Sequence, residues 1–236
     1  MTDRFYFRQF LSGRDFARDD NVARQMVNFV YALGDRATGE ALLVDPAYAP
    51  VELIDLVSDD GMKVSAVVAT HYHADHVGGD LMGTHINGVR ELLEVTDVPI
   101  HVHADEAAWV ALVTGVEQDS LVSHFSGDMV RVGELEVTLI HTPGHTPGSQ
   151  CCFVDGRLIS GDTLFIDGCG RTDLPGSDPD EMYQTLTTRL NEIGDDAVLY
   201  PGHHYSPEFS ASMSDVRQHN FVLAPATREQ WLAMFS

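Results

Sequence analysis

Thr70-His71-Tyr72-His73-Ala74-Asp75-His76 is the stretch on which the reading of this chain turns, because it holds four ligand-type side chains in six positions. It follows Lys63 to Ala69, whose β-branched content predicts a buried strand running into Thr70. In an extended segment side chains alternate, so His71 and His73 point the same way. A turn after them brings Asp75 and His76 around a second point nearby. Imidazoles and carboxylates at this density suit zinc, iron or manganese, and ligand type does not choose among them. Gly78-Gly79 beyond the cluster permit close backbone packing. A single histidine here would read as a packed or solvated side chain. Three histidines and an aspartate at one strand end reverse that reading.

Three further segments repeat the pattern on a smaller scale. They are Thr142-Pro143-Gly144-His145-Thr146-Pro147-Gly148, Gly161-Asp162-Thr163-Leu164 and Pro201-Gly202-His203. Each sets one ligand-type residue in a glycine-containing turn after a predicted strand. Gly-Asp and Pro-Gly-His are ordinary turn sequences taken singly. Ligands on strand ends can converge on one edge of a rigid scaffold, and four such ends in one chain point to a shared centre.

The ordered set H-x-H-x-D-H, P-G-H-T-P-G, G-D-T-L-F and P-G-H resembles the metallo-β-lactamase superfamily, and within it the glyoxalase II and persulfide dioxygenase branch. The likeness covers about Met26 to Tyr205. It implies an α+β fold, a four-layer αβ/βα sandwich with the metals in a cleft at one edge of two sheets. Carried over position by position, it implies that His71, His73 and His145 hold one metal and that Asp75, His76 and His203 hold a second. Asp162 bridges both in that reading, and Asp75 also orients the attacking hydroxide. His204 is the rival to His203, but the turn motif matches His203. His85, His101, His103, His124, His141 and His219 match no ligand position and read as structural, with His141 the candidate for a supporting contact to the metal site.

Two divalent cations, zinc by preference and iron or manganese as alternatives, lower the pKa of water from about 15.7 towards about 7 and polarise a carbonyl. No G-x-S-x-G nucleophile motif is present. The implied reaction is hydrolysis of a small-molecule thioester or related acyl substrate. Gly168-Cys169-Gly170-Arg171 resembles a cleft-lining segment, so Arg171 is a candidate for gripping a substrate carboxylate, against a plain loop salt bridge. Tyr205 falls where glyoxalase II has a substrate-contacting tyrosine. That family holds glutathione partly through basic residues in a C-terminal helical region. Here the lysines and arginines beyond Tyr205 are Arg217 and Arg228, so another thiol carrier, or an acyl group without that tail, fits as well. The competing class is a persulfide dioxygenase with a single iron on His71, His145 and Asp162, which Phe7-Arg8-Gln9 and Gly168 to Asp173 resemble. A non-catalytic metal-binding protein is the third reading.

The rest of the chain bounds these readings. At 236 residues it suits one domain, residues 1–236, with a sizeable core. The net charge is −22, and Lys63 is the lone lysine among 14 basic residues. Such a surface repels nucleic acid and anionic membranes, so neither is an expected partner; salt adaptation and a GC-rich genome both produce that composition. A homo-oligomer is compatible with it. Val64 to Ala69, among the longest apolar runs, is too short to span a bilayer. Met1 to Phe10 mixes charges among its aromatics, unlike a secretory signal, so a cytoplasmic location is expected. Cys151, Cys152 and Cys169 form no disulfide or zinc pattern and read as reduced thiols. Strands are predicted at 5–10, 26–33, 40–44, 99–102, 129–132, 135–140, 150–154, 157–160 and 197–200. Helices are predicted at 51–57, 81–95, 104–113, 179–190 and 228–235.

Overall fold

The computed structural model describes residues 4–225 and 227–235. Residues 1–3, at the head of the segment read for a secretory signal, lie outside them. The first half runs β1 (Phe5–Leu11), α1 (Asn21–Met26), β2 (Phe29–Asp35), β3 (Glu40–Val44), α2 (Pro50–Asp59) and β4 (Lys63–Val68). It continues through α3 (Ala74–Val77), β5 (Gly79–Leu81), β6 (Thr84–Ile86), α4 (Val89–Leu93), β7 (Ile100–His103), α5 (Ala107–Thr114) and β8 (Leu121–His124). The second half holds β9 (Met129–Val132), β10 (Leu135–His141), β11 (Gln150–Val154), β12 (Arg157–Gly161) and α6 (Pro179–Gln184). It ends with β13 (Val198–Pro201), β14 (Ala211–Ser212), α7 (Met213–His219) and α8 (Arg228–Leu232).

Two six-stranded sheets result, ordered β1-β2-β3-β4-β7-β8 and β14-β13-β12-β11-β10-β9. Side-chain alternation builds the layers between and outside them. Phe29, Tyr31 and Leu33 of β2 and Leu42 and Val44 of β3 face Val130, Val137, Leu139, Cys152 and Ile159 of the other sheet. The intervening Val30, Ala32, Ala41 and Leu43 turn outward against Leu53 of α2, Leu92 of α4 and Val110 of α5. On the far side Cys151 and Leu158 pack with Met182 of α6, Val216 of α7 and Trp231 of α8. This is the αβ/βα sandwich, and its middle layer carries much of the burial. Each fully buried leucine or valine contributes about 1.5–3 kcal/mol relative to exposure.

The structure departs from the expected elements where chain geometry overrides pattern. Residues 81–95 do not form one helix. Met82 and Gly83, at φ 50° and 84°, make a tight turn between β5 and β6, and only Val89–Leu93 is helical. A β-carbon at Gly88 would fall against the Val77 carbonyl, so this segment is pinned to α3. The helix expected over 179–190 is capped by Asp178 but widens into π turns over Thr185–Arg189. There Thr185 Oγ1 donates to the Pro143 carbonyl at 2.7 Å. The helix expected over 228–235 is regular only to Leu232. Helices α1 and α7 and strand β8 were not expected. Among the described residues no helix is long and apolar enough to cross a membrane.

Candidate metal centre

Strand β4 ends at Val68, and the next five residues lead through Thr70-His71 into the short helix α3. This hands His71 and His73 to one point and Asp75 and His76 to another. The turns after β10, β12 and β13 bring His145, Asp162 and His203 to the same edge. All seven predicted side chains meet there.

His73 Nδ1 lies 3.1 Å from His71 Nε2 and 3.0 Å from His145 Nε2. The three rings stand nearly perpendicular, at 73–84° to one another. Three nitrogen lone pairs therefore converge on one small space. Beside them His76 Nε2 is 3.2 Å from His203 Nε2. Asp75 Oδ2 is 3.5 Å and 3.4 Å from those two nitrogens. Asp162 spans the groups: Oδ2 is 3.7 Å from His145 Nε2 and 3.3 Å from His203 Nε2. Asp162 Oδ1 is buried without a hydrogen-bond partner among the described residues. A buried carboxylate oxygen left in that condition is costly unless a cation completes it. Gly202 keeps the space beside it open, since a β-carbon there would strike that oxygen. The donor set and the orphaned oxygen fit a pair of divalent cations.

Outer contacts fix which nitrogen each ring presents. His145 Nδ1 donates to the Arg171 carbonyl at 2.8 Å, and His203 Nδ1 to the Met26 carbonyl at 2.7 Å. His76 Nδ1 faces Asp45 Oδ2 at 2.9 Å. His71 Nδ1 reaches the Thr70 hydroxyl at 3.0 Å, which donates to the same Asp45 oxygen at 2.6 Å. One carboxylate thus orients a ligand of each triad. Asn28 Nδ2 donates to Asp75 Oδ2 at 3.0 Å, its own carbonyl held by the Tyr48 hydroxyl at 2.8 Å. Asp45 and Asn28 escaped the sequence reading. Asp45 carried a usable signal, since it directly follows strand β3 just as the ligands follow theirs; Asn28 carried none.

Electrostatics separate the two triads. Burial, with the neighbouring imidazoles, holds His71 well below its ordinary value, and burial with His145 brings His73 down to about 4. Their lone pairs are free at neutral pH. Burial acts the same way on His76, but Asp75, Asp162 and Asp45 outweigh it and raise that ring to about 10. Asp162, despite burial, is held well below the carboxylate range by His203 and His76.

The substrate candidates divide. Tyr205 stacks on the His203 ring at 4.6 Å and 6°, and it is half exposed. Phe165, not singled out beforehand, meets Tyr205 edge-on at 5.2 Å and is the Phe of G-D-T-L-F. The Arg171 guanidinium instead pairs with Asp173 at the surface, at 2.8 Å and 2.9 Å. Its backbone carbonyl is the part that serves the centre. His204 packs against Phe29 and Phe209 and stays off the ligand cluster. His141 supports the His145 turn by donating to the Pro147 carbonyl at 2.9 Å. Burial pushes the Cys169 thiol up to about 12, which removes it as a nucleophile.

Comparison with known proteins agrees with this geometry. A family model described as the metallo-beta-lactamase superfamily matches residues 25–203. A hydroxyacylglutathione hydrolase of Rhodopseudomonas palustris is 37% identical over 76% of this chain and 63% of its own length. The chain thus spans less than two thirds of that relative. The mitochondrial persulfide dioxygenase ETHE1 of Homo sapiens is 29% identical over 84% of this chain and 74% of its own. The crystal structure of ETHE1 from Myxococcus xanthus superposes with a TM-score of 0.80 at 27% identity, covering 98% of this chain and 89% of that one.

Proposed function

The chain belongs to the metallo-beta-lactamase superfamily, and from that premise we propose that it is a two-metal hydrolase of the glyoxalase II type acting on a thioester or related acyl substrate. One observation carries the reading: two complete triads, His71/His73/His145 and Asp75/His76/His203, flank Asp162, whose buried Oδ1 has no hydrogen-bond partner among the described residues and lies 3.4 Å from His76 Nε2. The second triad gives the chain a full set of ligand atoms for a second cation.

When bound, such a pair of cations supplies hydroxide at neutral pH and a Lewis acid for a carbonyl oxygen. The protein's part is positioning. Asn28 fixes the carboxylate plane of Asp75, the residue that would orient an attacking water. Asp45 accepts at the Nδ1 side of His76 and, through the Thr70 hydroxyl, stands behind Nδ1 of His71, which turns each Nε2 towards the space the cations would occupy. Tyr205 and Phe165 form an apolar wall beside His203 against which an acyl or thiol-carrier group can lie. With Arg171 engaged by Asp173, recognition of a substrate carboxylate would require that pair to open. Zinc is the proposed metal, and a small-molecule substrate the proposed partner.

The second reading, a persulfide dioxygenase with one iron on His71, His145 and Asp162, is favoured by the extent of the likeness to the Myxococcus xanthus ETHE1 structure. Elemental analysis of protein purified without chelator, followed by paired assays, separates the two. About two zinc ions per chain with thioester hydrolysis is the expected result. One iron per chain with oxygen uptake on glutathione persulfide would overturn it in favour of the dioxygenase.

A further inference from the structure

Glu106 is fully buried at the start of α5, at least 30 residues from each triad histidine on either side, and the metal reading assigns it nothing. Its carboxylate gathers three donors from two separate loops. Oε1 accepts from the Tyr72 backbone N–H at 2.7 Å and from the Thr146 hydroxyl at 2.8 Å; Oε2 accepts from the Gly148 N–H at 2.7 Å. Tyr72 lies between His71 and His73, and Thr146 and Gly148 follow His145. One side chain therefore ties together the two loops that deliver all three histidines of the first triad, while making none of the hydrogen bonds to Asp75, His76 or His203. The packing is equally specific. A β-carbon at Gly148 would fall 2.5 Å from the Glu106 nitrogen and 2.6 Å from its Cβ, so the second glycine of P-G-H-T-P-G is what lets the loop reach the carboxylate.

We propose that Glu106 is a positioning residue that locks the His71/His73 loop to the His145 loop and thereby sets the metal affinity of that triad selectively. The proposal rests on the metal reading of that triad. Its physical basis is donor counting: three donors face two carboxylate oxygens, and only the acceptor-only ionised form satisfies all of them, a form these bonds favour against the burial that pushes the group up to about 7. Glutamine keeps the shape but must turn its NH2 towards either the Gly148 or the Tyr72 N–H, leaving a buried backbone donor unpaired whichever way it is flipped. The loops then lose their common anchor, and the three nitrogens lose the spacing of about 3 Å that a shared cation needs.

The test uses full-length protein and zinc alone, titrated against a chromophoric chelator. Glu106→Gln is introduced into a His203→Ala background, which retains the first triad, and into a His145→Ala background, which retains the second. The expected result is zinc binding weakened by about 10–100-fold in the first background, the range for outer-contact loss at metal sites, and unchanged within about twofold in the second. Thr146→Val, which removes one of the three donors' contacts without changing side-chain volume, serves as a milder variant should Glu106→Gln fail to fold. It is expected to weaken the first site by a smaller factor in the same direction. Equal affinity in wild-type and variant first sites overturns the proposal, and so does equal weakening of both sites. Failure of the parent backgrounds to bind zinc at all overturns the metal reading itself and the clamp with it.

Discussion

This chain holds two groups of histidines, and the contrast between them shows what makes a metal centre. At the cleft, ring nitrogens of His71, His73 and His145 approach to 3.0–3.1 Å with the rings nearly perpendicular. On the next-to-edge strands of the two sheets, His103 of β7 and His141 of β10 lie 3.7 Å apart at 7°, face to face. Beside them His101 Nδ1 and His124 Nε2 meet at 2.8 Å. With Asp105, His103 and His141 place three ligand-type atoms within 4.8 Å of one another. Composition and proximity are therefore alike in both places. Orientation differs. A cation lies in the plane of each imidazole it binds, and two parallel stacked rings cannot share one. Their nitrogens are also engaged elsewhere, His141 with the Pro147 carbonyl and His103 with the Asp105 N–H. In the cleft the outer partners Asp45 and the Arg171 and Met26 carbonyls take the opposite nitrogen and leave the inner one free. The stack is a packing device that joins the two sheets.

The largest effect that could break this comparison comes from Asp162. Asp162→Asn keeps the shape but removes the charge shared by both triads, and kcat/KM should fall by about three orders of magnitude or more, since metal stabilisation of the transition state is worth several kcal/mol. Thioester assays with metal content measured on the same samples check this; a variant that keeps both its ions and its rate would remove the bridge from the argument. His141→Ala should do the reverse. It is expected to cost about 1–2 kcal/mol of stability through the lost stack and the unpaired Pro147 carbonyl, with metal stoichiometry unchanged. Denaturant unfolding and elemental analysis read the two quantities independently. Loss of a metal equivalent in that variant would make the stack a ligand site and erase the distinction.

Most of the cleft was legible in the sequence because its ligands are dense, ordered and attached to strand ends. His71 to His76 form a pattern that no packing requirement produces, and the strands that carry them show alternation or β-branched runs. The supporting residues were less legible, because Asp45, Asn28 and Glu106 are single polar residues that look like turn or surface positions until their partners are known. The fold was readable where an element is long enough for its inward and outward faces to repeat, as in β2 and β10. It was not readable at α3, β5, β6 and β8, three or four residues each, whose structure is decided by contacts made elsewhere. The helix expected over 81–95 shows the mechanism: apolar spacing suggested it, while Gly83 at the turn and Gly88 against Val77 exclude it. The parallel stack of His103 and His141 was beyond any sequence pattern, since it depends on how two sheets face each other.

The smallest expected effect sharpens the comparison through pH. Burial, aided by the neighbouring imidazoles, brings His101 and His103 each down to about 4, while in the unfolded chain both titrate near the ordinary value of about 6.5. Between those limits the unfolded state binds protons that the folded state refuses. Stability contributed by the neutral pair is therefore complete above about pH 6.5 and declines as pH falls towards about 4. His103→Phe keeps a flat ring against His141 and cannot be protonated. In metal-loaded protein its unfolding free energy should fall less steeply than that of wild type between pH 7 and pH 5, by the share of one histidine. Parallel curves would mean that His103 takes up its proton as readily in the folded protein as in the unfolded chain. A charged ring lying face to face on His141 would then need Asp105 as a true counter-ion, 3.7 Å from His103 Nδ1, and the outer group would have begun to resemble the cleft.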